Sequence, residues 1–278
     1  MSILLCNFEI VVLSVYNAIS LEETNLLGGS TQPVIASVGD DDGNFIGKYV
    51  VKIFKQRAIE QYQPTNKEIY TWVLAKEFDL NIPDIAIVKV DKWFIDELKK
   101  RPKYQKFDIS SGFYFASMYI ENHLNYKSGL PLNKYENWEV ENIFAFDVLV
   151  RNADRREKKP NLFFCQKSPY IIDHEHCLDI QNSFLEYIDS DGWRFMTLSM
   201  GKGSHLFRNY LRKHSLEHTF DTFSEILRSF NISVLDSYGE QLEELGQNVE
   251  DLYFIKSYLQ ELKDNRQIFF QLVEKLIV

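Results

Sequence analysis

The sequence predicts an α+β fold, with a smaller β-rich part followed by a larger, mostly helical part. Two observations carry this. Before about residue 120, short β-branched and aromatic runs alternate with glycine-rich turns, and a helical pattern occurs once. After it, helical spacing takes over and runs to the end of the chain. The 278 residues are 45% hydrophobic, 14% aromatic and 26% charged, a composition that builds a sizeable core and excludes a disordered or collagen-like class.

The opening stretch MSILLCNFEIVVLSVYNAI is apolar but broken by Asn7 and Glu9, and reads as a buried strand or the start of a helix. It lacks a basic leader segment and a cleavage signal. No run of about 18 uninterrupted apolar residues occurs, so no membrane helix is expected and the protein is expected to be cytoplasmic. GGSTQP (28–33) is a loop. VIASV, the turn GDDDGN (39–44) and FIGKYVVKIF (45–54) form a hairpin. TNKEIYTWVLAKEF (65–78) is helical, with Thr65 and Glu68 spaced as a capping box and Ile69, Trp72, Val73 and Lys76 on one side. Asn81 and Pro83 end it. DIAIVKV (84–90) and FYFASMYI (113–120) are strands, and YENWEVENIFAFDVLV (135–150) is a helix. NLFFC and YIID are short strands, and SYLQELKDNRQIFFQLVEKLIV (257–278) is one amphipathic helix.

A formal charge of -9 disfavours non-specific nucleic-acid binding. Cys6, Cys165 and Cys177 are too few and too scattered for a disulfide framework, which points to a reducing compartment. Against the acidic background one loop is basic: DVLVRNADRREKKPNLFF (147–164) carries Arg151, Arg155, Arg156, Lys158 and Lys159.

Four features bear chemistry, in chain order. Gly28 to Thr31 form a glycine–hydroxyl loop whose backbone can approach phosphate, although ordinary strand turns look the same. Lys52 sits in an apolar strand, where it either snorkels to solvent or pairs with Glu68 to meet phosphate oxygens. Asp154 and Asn161 bracket the basic loop; a carboxylate can take a hydroxyl proton and an amide oxygen can ligate a cation, while both also favour turns. Asp173 closes the strand YIID, suited to a hard cation. His174 and His176, two apart, would face the same way in a strand and raise the alternative of a metal hydrolase. The order of these parts is that of kinase-type phosphoryl transfer.

DVLVRNADRREKKPNLFF followed by YIIDHE resembles the HipA-like kinase family, especially its compact stand-alone domains. So do LLGGSTQPVIASVGDDDGNFIGKYVVKIF and KEIYTWVLAKEFDLNIPDIAIV, and the resemblance spans about residues 25 to 180. It implies a two-lobed protein-kinase-like fold over 1–278, with an N-lobe to 117 and a C-lobe from 118. It implies a serine/threonine protein kinase using ATP and Mg²⁺, a protein substrate, a toxin or stress-response role with an antitoxin partner, and neither nucleic acid nor membrane as partner. Residue by residue, it gives Lys52 the ATP phosphates and Glu68 the pairing with Lys52. It gives Met118, Tyr119 and Ile120 backbone contacts to adenine, Asp154 the acid–base role, and Asn161 and Asp173 the Mg²⁺. Gly28, Gly29, Ser30 and Thr31 become the phosphate-side loop, with Ser30 or Thr31 as a self-phosphorylation site. Two departures set the chain apart from classical protein kinases. Asp154 and Asn161 are seven rather than five apart, and Asp173 is followed by His-Glu instead of Phe-Gly. A nucleotide-binding pseudokinase and a phosphoinositide-type lipid kinase are the competing readings.

Overall fold

The computed structural model describes residues 12–22, 32–127, 129–134, 139–200, 205–214 and 220–278. Its first part is a closed five-stranded barrel in the order β1 (Val15–Leu21), β2 (Val34–Gly39), β3 (Phe45–Val51), β5 (Gly112–Met118), β4 (Ile85–Val90). Four neighbouring pairs are antiparallel, and the parallel pairing of β1 with β4 closes the ring. The strand-rich first part and helical remainder agree with the α+β class; the closure was not foreseen. Alternate residues of β2 and β4, Val34, Ala36, Val38, Ala86, Val88 and Val90, share one barrel core. Helix α3 (Lys92–Lys99) plugs it with Phe94, Ile95 and Leu98, and its start is capped by Asp91, which accepts from Phe94 N at 2.8 Å. β1 is half-exposed rather than buried.

The β2–β3 turn forms as expected. Asp40 accepts from Asn44 N at 2.8 Å, and Gly43 takes φ +81, a left-handed conformation that glycine tolerates. β3 ends at Val51, three residues early, although Lys52 N still donates to Phe115 O at 3.0 Å. Next come α1 (Gln56–Tyr62) and α2 (Pro64–Glu77), joined by Gln63 at φ 47. The expected capping box is absent. Gln63 is the N-cap, Pro64 opens the helix, and the Glu68 carboxylate is drawn instead to Lys52 and His174 N. Nor is the helix one-sided: Ile69, Tyr70, Leu74 and Ala75 are fully buried, because it packs between β5 and the later helices.

β6 (Leu124–Asn125) pairs with β7 (Leu162–Cys165), and β7 with β8 (Ser168–Ile171), in a small antiparallel sheet. α4 (Val140–Leu149) precedes it; residues 135–138 of the predicted helix lie outside the described residues. The rest is α5 (Phe184–Ile188), α6 (Asp191–Ser199), α7 (Arg208–Lys213), α8 (Asp221–Ser229), α9 (Val234–Glu244), α10 (Asp251–Asp264) and α11 (Arg266–Ile277). The single helix predicted over 257–278 is therefore two. They break at Asn265, which leaves helical geometry (ψ 34) and caps back onto Glu261 O at 2.8 Å. Among the described residues no helix is long and apolar enough to cross a membrane.

Phe78, at the end of α2, joins the layers: its ring lies 6.1 Å from Phe146, 4.5 Å from Phe223 and 5.8 Å from Phe230. Phe78→Ala is expected to lower unfolding free energy by about 3–5 kcal/mol, read as a reduced urea midpoint at unchanged slope.

Candidate active site

The site is built outward from Asp147, which interrupts the apolar α4 and is wholly buried. Its carboxylate accepts from Arg155 Nε at 2.7 Å and Nη2 at 3.1 Å, from Asn152 Nδ2 at 2.8 Å and from His205 Nε2 at 3.0 Å. His205 Nδ1 accepts from Phe207 N at 3.2 Å, which places the proton on Nε2 in a neutral ring. Burial alone would raise the Asp147 pKa, but Arg155 and His205 bring it down to about 2. Arg155, also fully buried, donates to Asn161 O and lies 3.2 Å from His174 Nε2. Burial, with Arg155 alongside, lowers the His174 pKa to about 3 and keeps that ring neutral.

From this base the loop rises toward Asp154. Asn152 Oδ1 accepts from Asp154 N at 3.0 Å. The Asp154 carboxylate then receives Arg156 Nη2 at 2.6 Å on Oδ1 and Lys159 Nζ at 2.5 Å on Oδ2. Lys159 also reaches Asp173 Oδ2 at 3.1 Å.

On the barrel side, Lys52 pairs with Glu68, with Asp173 Oδ1 at 2.5 Å and with Glu175 Oε2 at 3.5 Å. Asp173 takes φ 67, which turns its carboxylate out of the strand line toward both lysines. Burial opposes its charge, but Lys52 and Lys159 hold its pKa well below the usual range. Glu68, buried deeper and sharing one ammonium with two other carboxylates, is pushed up to about 7. Burial opposes the Lys52 charge, and the three carboxylates more than offset it and raise its pKa. Glu68 Oε1 accepts from His174 N at 3.0 Å, so the contacts close into a ring: Asp147, Arg155, His174, Glu68, Lys52, Asp173, Lys159, Asp154, Asn152 and back to Asp147.

The family described as HipA-like kinase matches residues 24–267, most of the chain. The chain belongs to the HipA-like kinase family. A search of curated proteins gave no match. Membership makes the chain a kinase, a phosphotransferase that draws on ATP.

In this HipA-like kinase, Lys52, Glu68, Asp154 and Asp173 come together as the sequence suggests. Gly28, Gly29, Ser30 and Thr31 lie outside the described residues. Met118 N donates to Asp84 O at 2.7 Å and Tyr119 N to Lys48 O at 2.9 Å, so those two amides are committed within the barrel. Asn161 is buried at φ 44, with its amide nitrogen unpartnered. Glu68, Asp173 and Glu175 each offer an oxygen within 4.8 Å of the others. That all-oxygen donor set suits a hard cation such as Mg²⁺ rather than a soft metal. The two histidines do not chelate: His174 is buried against Arg155 and His176 is exposed, because the segment is a turn and not a strand. Sequence reasoning missed Glu175 and the Asp147–His205 pair, and named Lys159 only as one cation of the basic loop.

Replacing Asp147 by Asn leaves Arg155 buried without its counter-charge, a loss expected at about 3–5 kcal/mol in chemical denaturation. Because the Asp147 pKa is lowered from 3.8 to about 2, its stabilisation is complete above the higher value and is lost as pH falls through the lower. Acid titration of Asp147→Asn is therefore expected to lack that part of the wild-type decline.

Proposed function

We propose that this chain is an ATP-dependent serine/threonine protein kinase, its barrel part (1–117) and helical part (118–278) acting as the two lobes of a kinase. The supporting observation is the Lys159 ammonium shared by Asp154 and Asp173. It puts the carboxylate suited to take a proton next to the one suited to hold a metal.

Asp154 accepts the proton of a serine or threonine hydroxyl, whose oxygen forms the new bond to the γ-phosphorus as the bond to the ADP oxygen breaks. Lys52, oriented by Glu68, reaches the nucleotide phosphates. Lys159 offsets charge on the transferred group. Asp173 and Asn161, with Glu175 at hand, would hold Mg²⁺, which when bound screens phosphate charge. A pseudokinase is disfavoured because Lys52, Asp154, Asn161 and Asp173 occur together. Family analogy adds a toxin or stress-response role, an antitoxin partner and self-phosphorylation at Ser30 or Thr31.

Purified protein with Mg-ATP should label itself or a protein of a cell extract on serine or threonine, and leave phosphoinositides unlabelled. Asp154→Ala should cut transfer by about 10²–10⁴-fold. Labelling that survives both Asp154→Ala and Asp173→Ala contradicts the assignment.

A further inference from the structure

The five cations of the basic loop have different fates. Arg155 is buried in the ion pair with Asp147, and Arg151 stacks over Tyr187 and Tyr258, 3.4 and 4.3 Å from the ring centroids. Lys159 is shared between Asp154 and Asp173. Arg156 and Lys158 stay exposed at the tip.

The tip is rigidly mounted. Arg156 N donates to Lys159 O at 2.9 Å and Lys159 N to Arg156 O at 3.0 Å, and these bonds close a tight antiparallel turn. Residues directly opposite in such a pair carry their side chains on one face, so Arg156 and Lys159 both reach Asp154. The turn is tied below to His205 and by Leu206 N, which donates to Arg155 O at 3.0 Å. The long spacing from Asp154 to Asn161 now has a physical reason. Glu157 and Lys158 are the two tip residues needed to set 156 opposite 159.

We infer that Arg156 determines acceptor specificity, by reading an acidic side chain next to the hydroxyl to be phosphorylated. The inference rests on the kinase reading above. An acceptor hydroxyl must come within hydrogen-bond reach of Asp154. Arg156 Nη2 already touches that carboxylate, so an acidic neighbour of the hydroxyl falls within the span of the same guanidinium. The group has five donors in a planar fork, and among the described residues its side chain bonds Asp154 Oδ1. Its side chain is 50% exposed, so an incoming carboxylate can approach it from solvent. The chain carries a net charge of -9, and at this turn the exposed cations Arg156 and Lys158 outnumber the one exposed acid, Glu157.

The test is fluorescence anisotropy of the full chain with Mg-ADP and two labelled peptides, each with a central serine, one flanked by glutamates and one by lysines. The wild type is expected to bind the glutamate peptide about tenfold or more tightly than the lysine peptide. Arg156→Gln should erase the preference and Arg156→Glu reverse it. Equal binding of the two peptides, no binding of the glutamate peptide, or a glutamate preference retained in Arg156→Glu overturns the inference. Calorimetry with Mg-ATP separates the two levels. Wild type that binds no nucleotide contradicts the kinase reading itself. Nucleotide binding without peptide preference defeats the Arg156 role alone.

Discussion

The buried ion pair of Asp147 and Arg155 is the constraint on which the site depends. Neither side chain has measurable exposure. Two ions taken out of water cost several kcal/mol each, which only close and complete hydrogen bonding offsets. Asp147 meets that condition with donors from Arg155, Asn152 and His205. The pair thereby ties the end of α4 to the loop after it, to β7 through Asn161 O, and to the segment at 205. Asp154 is positioned through Asn152, Asn161 through Arg155, and Glu68, which in turn orients Lys52, through Arg155 and His174.

The ring of contacts also spans the two parts of the fold. Lys52 follows β3 and Glu68 lies on α2, whereas Asp173 and Glu175 follow β8. Three carboxylates around one ammonium leave an excess of buried negative charge that a divalent cation would relieve. Lys159 offsets part of it from the other side. The site thus carries cations where phosphate oxygens are expected and carboxylates where a metal is expected, on a helix and on loops held by hydrogen bonds and ion pairs.

Much of this was legible from charge set against apolar context. Lys52 in an apolar strand and Asp173 at a strand end each require a partner, and the structure supplies both. Asp147 obeyed the same rule, as an acid inside IFAFDVLV, and could have been singled out on that ground. Its partner His205 could not, because no local spacing links positions 58 apart. The barrel was hidden for a related reason: β1 and β4 pair across a long stretch of chain, and short strand patterns do not encode which edges meet. The capping box failed because Glu68 had a stronger partner than a backbone amide. The break at Asn265 left the apolar spacing of α10 and α11 continuous, so periodicity alone could not reveal it. The basic loop read as one patch, yet burial divides it into structural and exposed cations.

The claim that Arg155 serves geometry is tested most directly by Arg155→Lys. Lysine keeps the charge but lacks the fork that reaches Asp147, Asn161 O and His174 together. The account predicts a folded protein whose phosphoryl transfer from Mg-ATP falls about hundredfold, the effect of displacing reacting groups by about an ångström. Transfer at the wild-type rate in a folded Arg155→Lys protein would contradict it.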